Sequence, residues 1–148
     1  MNNNTCIFFG HRDCPQLDTE RLRDAVEKLI REGVDTFYVG NNGRFVAAVR
    51  SLLKRLKVEY PHIKYWVVLA YLPTKKEDGE DYSDTLLPDF EQGPPRFAID
   101  RRNRWLVDRA DHVICYVTHS HGAAYKFSRL AQKLGKKVYN LCDSFDEL

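Results

Sequence analysis

Short apolar runs of strand length alternate along the chain with amphipathic stretches of helical length, and this alternation narrows the fold more than any other feature. The runs lie at Thr5–Gly10, Thr36–Gly40, Lys64–Tyr71, His112–Thr118 and Lys137–Leu141. Between them, Asp18–Glu32, Phe45–Lys57, Pro95–Ala110 and Gly122–Leu134 carry apolar residues at helical spacing. Asp18 or Thr19 suits the cap of the first helix, and Gly33 suits its end. Phe97, Ile99, Leu106 and Val107 supply the buried contacts expected of the third. Lys64–Tyr71 is nearly all apolar, as expected of a central strand covered on both sides. Strand followed by helix, repeated, predicts right-handed crossovers. The expected fold is α/β and Rossmann-like: a mainly parallel five-stranded sheet with helices on both faces. A chain of 148 residues with no internal repeat predicts a single domain. Residues 143–148 suit a stub of helix. Pro73–Pro95, rich in Pro, Gly, Asp and Glu, has no sustained period, and a loop of that length suits a lid or a binding surface.

Composition excludes several classes. Hydrophobic residues make up 43% and charged residues 30%, a balance for a packed globular chain. No apolar run is long enough to span a bilayer, so no membrane is expected. The start, Met1-Asn2-Asn3-Asn4, has neither the basic flank nor the apolar core of an export signal, and the cytoplasm is the expected compartment. The formal net charge of +2 does not favour nucleic acid as a partner. Of the four cysteines, Cys6 and Cys115 fall in strand-like runs and Cys142 directly follows one, a setting where a thiol acts as a small hydrophobe and no disulfide framework is expected.

In an open parallel sheet, ligands bind beyond the carboxyl ends of the strands. Three such positions carry unusual residues. Gly10-His11-Arg12-Asp13-Cys14 follows the first run, and Arg12 offers a planar fork for phosphate or carboxylate. Gly40-Asn41-Asn42-Gly43-Arg44 follows the second and opens into a helix, a setting in which backbone amides gather an anion. Thr118-His119-Ser120-His121-Gly122-Ala123-Ala124 follows the fourth. Thr118 and Ser120 can donate to phosphate oxygens, and Ser120 equally suits a helix cap. A fourth element is Arg96 with the run Arg101-Arg102-Asn103-Arg104. There an arginine or asparagine reaches ligand, or the run is only a solvated helix face.

Taken in order, Phe8–Arg12, Phe37–Phe45, Pro95–Asn103 and Asp111–Ala124 resemble the corresponding segments of the SLOG superfamily, in particular its short stand-alone bacterial YpsA-like branch. The resemblance covers most of the chain. It implies a Rossmann-like fold and a nucleotide or nucleotide-derived ligand. It places Gly10, His11 and Arg12 on one side of the pocket and Gly40, Gly43, Asn103 and Gly122 on others. Some members of the superfamily hydrolyse an N-glycosidic bond, as cytokinin-activating phosphoribohydrolases do; others bind DNA or sense nucleotides. The chain departs from the family pattern at three places. Val46 stands where relatives often have aspartate, Gly122-Ala123 replaces Gly-Gly, and Ala124-Tyr125-Lys126-Phe127 lacks the glutamate of the hydrolases.

The expected function is therefore binding or sensing of a phosphate-bearing, nucleotide-like small molecule, without a resident cofactor. The ligand-binding candidates are Gly10, His11, Arg12, Gly40, Asn41, Asn42, Gly43, Arg96, Asn103, Thr118, His119, Ser120 and Gly122. An N-glycosidic hydrolase or transferase is the alternative and would draw a carboxylate from Asp13, Asp100 or Asp78–Asp84. Two further readings stay open. His11, Cys14, His119 and His121 would converge as zinc ligands if the first and fourth strands are neighbours. Lys54, Arg55, Lys57, Lys75 and Lys76 with Tyr71 and Tyr82 would form a single-stranded DNA patch. Homo-oligomerisation is left open.

Overall fold

A computed structural model describes residues 4–11, 14, 16–41, 43–70, 85–86 and 97–148. In chain order the elements are β1 (Thr5–Gly10), α1 (Thr19–Arg31), β2 (Thr36–Val39), α2 (Arg44–Glu59), β3 (Lys64–Val68), β4 (Thr85–Leu86), α3 (Ala98–Arg109), β5 (His112–Tyr116), α4 (Ala123–Lys133) and β6 (Lys137–Asn140). The strands form one sheet in the order β4-β3-β2-β1-β5-β6, and every neighbouring pair is parallel. The sheet therefore has six strands where the apolar runs predict five. The added strand, β4, is two residues long and lies inside the Pro73–Pro95 stretch, too short to show a period.

Alternation along the strands sends side chains to two cores. Cys6 and Phe8 of β1 face α1 and α2, joining Leu22, Val26, Ile30, Phe45, Val49 and Leu53. Ile7 and Phe9 face α3 and α4, joining Leu106, Val107, Phe127 and Ala131. The spacings of four in Leu22, Val26 and Ile30 and in Phe45, Val49 and Leu53 are those of one helix face. Both faces of the sheet are thus covered by helices, as expected of an α/β chain. None of the four cysteines is in a disulfide, and burial raises the Cys115 thiol to about 12, so it acts as a hydrophobe. No helix of the described residues is long and apolar enough to cross a membrane.

Three sequence expectations need correction. β3 ends at Val68, and its first half is not covered: Lys64 and Trp66 are exposed. Only Val67 and Val68 gain a partner in β4, so the first part of β3 is an open sheet edge among the described residues. Residues 143–148 form no helix; Asp143 is instead drawn to the Arg21 guanidinium on α1. Phe97 is half exposed rather than a core contact of α3.

Candidate functional site

The sheet order reverses at β1, whose neighbours are β2 on one side and β5 on the other. A crevice beyond the carboxyl ends of these strands follows from that reversal. It contains a cavity of about 220 Å³, lined by Gly10 and Gly40 from two strand ends, Val46 from α2, Arg102 and Asn103 from α3, and Ala123 and Ala124 from α4.

The two glycines are there for space. A Cβ on Gly10 would stand 2.2 Å from the Phe45 ring, and one on Gly40 would stand 2.9 Å from Arg102 Nη1. Gly10 thus lets α2 seat its phenylalanine, and Gly40 lets a guanidinium pass under the strand end.

Arg102 and Asn103 are the polar side chains among the described lining residues, and each is only 5% exposed. Arg102 Nε donates to Asn103 Oδ1 at 3.0 Å, and Nη1 donates to Asn41 Oδ1 at 3.1 Å and to the Val68 carbonyl at 3.4 Å. A guanidinium can only donate, so it fixes which end of the Asn103 amide faces it. The amide nitrogen is turned the other way, and among the described residues it has no hydrogen-bond partner.

Two helices begin at the crevice without side-chain caps. α2 starts after Gly43 (φ 97°) and α4 after Gly122 (φ 90°), a left-handed backbone that disfavours side chains. Their first amides carry the partial positive charge of a helix start. Ser120 does not cap α4, because the capping position falls two residues later, on Gly122.

At the edge of the crevice three histidine rings stack. The ring of His11, following β1, lies 3.7 Å from that of His119, following β5, with the planes 6° apart; the His121 ring lies 4.0 Å from His119, tilted by 37°. The parallel neighbours β1 and β5 bring these loops together. The His11 N–H donates to the Tyr116 carbonyl at 3.2 Å. Asn140, at the end of β6, clamps the other loop: its amide accepts from Val117 N–H and donates to the Val117 carbonyl, both at 3.0 Å. Thr118 Oγ1 and His119 Nδ1 share a hydrogen bond of 3.0 Å. Burial, then the nearby His119 and His121, lowers the His11 pKa to about 4, so the ring is neutral near pH 7. Its Nε2 is buried and has no partner among the described residues.

The structure thus joins His11, His119 and His121, while Cys14 packs against the α1–α2 core. His11 and His119 meet by their faces, and among the described residues no group of three His, Cys, Asp or Glu is placed to hold a metal ion. Gly10, Gly40 and Asn103 line the cavity, Asn41 anchors its arginine, and Gly43 and Gly122 open its two helices. Ser120 is exposed. Arg12, Asp13, Asn42 and Arg96 lie outside the described residues, as do Tyr71, Lys75, Lys76, Tyr82 and Asp78–Asp84 of the other readings. Of the basic patch on α2, Lys57 is engaged in closing the helix, donating to the Pro61 and Ile63 carbonyls.

Sequence reasoning left Arg102 and Asn140 out of the candidate residues. A signal for Arg102 existed: it stands midway between Ala98 and Leu106 at spacings of four, on the buried face of α3. Arg104, two residues on, is exposed and pairs with Asp108 at 3.2 Å. Two larger grooves lie elsewhere. One of about 540 Å³ runs between α1 and the start of β5 and β6, where Arg21 is bonded to Tyr139 and Asp143. Another of about 600 Å³ lies between the outer faces of α3 and α4. Neither is at the strand ends, and neither brings two helix starts together.

No family model matches the chain, and a search of curated proteins finds no match.

Proposed function

We propose that the chain binds a nucleotide or nucleotide-derived molecule by its phosphate-bearing end, in the cavity beyond β1, β2 and β5. The observation that carries this reading is the Asn103 amide. It is a donor without a partner among the described residues, on a buried side chain oriented by a buried guanidinium, and it faces a cavity beside two uncapped helix starts. Donors and partial positive charge converge there, which is the demand of a phosphate. The resemblance to the SLOG superfamily supports a nucleotide as the source of that phosphate.

Binding is favoured over glycosidic cleavage because none of the described lining residues is a carboxylate. Val46 puts an apolar side chain where SLOG relatives often carry aspartate. Cleavage of an N-glycosidic bond needs a group to handle a proton or developing charge.

Isothermal titration with AMP, ribose 5-phosphate and inorganic phosphate tests the reading. Wild-type protein is expected to bind at least the first two, without releasing adenine from AMP over hours by chromatography. Asn103→Ala removes a hydrogen bond to a charged group, about 1.5–3 kcal/mol, and is expected to weaken binding roughly 10- to 100-fold. Absence of binding by every phosphate compound sinks the proposal, and steady release of adenine turns it toward the enzyme.

A further inference from the structure

The cavity is smaller than the about 300–1,000 Å³ usual for a drug-sized ligand. If a nucleotide's phosphate and sugar occupy it, the base must lie outside, against whatever flat surface stands at the edge. The stacked histidines are that surface. His11 directly follows the lining residue Gly10, and His121 stands two residues before the lining residue Ala123. The stack is therefore tied by both ends to the cavity wall.

We infer that the His11–His119–His121 stack is a platform for the base, which lies on the outer face of His121 and extends the row of rings by one. The inference rests on the proposed binding of a nucleotide's phosphate end, and it adds the ligand class: compounds with a planar aromatic base rather than sugar phosphates alone. Its physical ground is the geometry of the row. His119 meets both other rings, parallel to His11 at 3.7 Å and tilted by 37° to His121 at 4.0 Å. Among the described residues the row ends at His121, which is exposed. A base stacked there gains π contact that tolerates any base identity. Hydrogen-bonded loops hold the row before ligand arrives: the His11 amide on Tyr116, the His119 ring on Thr118, and Val117 in the grip of Asn140. His11, at the inner end of the row, is held neutral by burial and by its histidine neighbours.

The test compares two probes that differ only by the base. By isothermal titration at pH 7.5, wild-type protein is expected to bind AMP roughly tenfold or more tighter than ribose 5-phosphate. His121→Ala is expected to erase most of that advantage while leaving ribose 5-phosphate within about twofold of wild type. His121→Phe, which restores a flat ring, is expected to recover it. Ring-current shifts of the adenine H2 and H8 protons, present with wild type and His121→Phe and absent with His121→Ala, report the stacking directly. Circular dichroism confirms that the variants are folded, and an exposed residue gives little reason for loss. Equal affinity of the two probes in wild type, or an AMP advantage that survives His121→Ala, overturns the platform and leaves the phosphate cavity standing. Binding of neither probe overturns the cavity reading and this inference with it.

Discussion

Gly40 and Gly10 both stand at strand ends beside the cavity, yet a methyl group at each meets a different obstacle. At Gly40 it meets the end of a side chain, Arg102, which is pinned by Asn41 and Asn103 and has little freedom to withdraw. At Gly10 it meets a fully buried ring, Phe45, at 2.2–2.5 Å, so α2 itself must move. Gly40→Ala is therefore expected to act on the site, weakening ribose 5-phosphate binding roughly tenfold, with a stability loss of about 1 kcal/mol. Gly10→Ala is expected to act on the fold, costing about 3 kcal/mol or more by overpacking. Urea midpoints and titrations on both variants separate the two. A Gly10→Ala protein as stable as wild type contradicts the contact with Phe45. The same residue scale shows what the sequence could not say. Glycines after strands are visible in it, but which neighbour fills the space beside each is decided by helices 35 and 62 residues away, at Phe45 and Arg102.

At the scale of elements, the starts of helices divide into two kinds. α1 is closed by Asp18, whose carboxylate accepts from the Glu20 and Arg21 amides at 3.1 Å each. α2 and α4 have no such side chain. Asp18→Ala is expected to cost about 1 kcal/mol, read as a lower urea midpoint with unchanged slope. It should leave ligand titrations unchanged, since no described residue of α1 lines the cavity. The elements with sustained period were legible: α1, α2 and α4 lie within two residues of their expected bounds, because an apolar stripe recurring every three or four residues is what a helix with one buried face requires. β4 and the exposed half of β3 were not legible. The pairing of Thr85–Leu86 with Val67–Val68 is a contact between distant segments, and no local pattern encodes it. On α3, a run of arginines hid a turn of the helix in which Arg102 and Asn103 point inward. Charge suggested a solvated face, and the spacing to Ala98, Leu106 and Val107 suggested the opposite. Spacing won.

At the scale of the whole molecule, His11 and His119 are 108 positions apart, and only the placing of β5 beside β1 makes them neighbours. The alternation of strands and helices carries that much, because a Rossmann-like order puts those two strands side by side. It does not carry the face-to-face packing, which depends on how the two loops leave the sheet. The packing has a consequence for stability. In the folded chain the His11 pKa is lowered, by burial first and then by His119 and His121, to about 4, against an ordinary 6.5. As pH falls through 6.5 the unfolded chain takes up the proton first. Stability is therefore highest above about pH 6.5, declines between 6.5 and 4, and loses nothing more from this group below 4. Carboxylates held low by arginine partners, Glu27 by Arg23 and Asp143 by Arg21, lose their contributions only in more acid solution. The window from about pH 6.5 to about 5 thus belongs mainly to the histidine. Urea unfolding across that window is expected to show a falling midpoint for wild type and a flatter one for His11→Gln, which keeps a polar side chain but cannot be protonated. Equal slopes in the two proteins contradict a neutral, buried His11. The same proton should disturb the row of rings, because a charge on His11 faces His119 at 3.7 Å. The folded chain takes up that proton only near pH 4, so AMP affinity is expected to hold across the window and to fall as pH approaches 4, with ribose 5-phosphate affinity falling less.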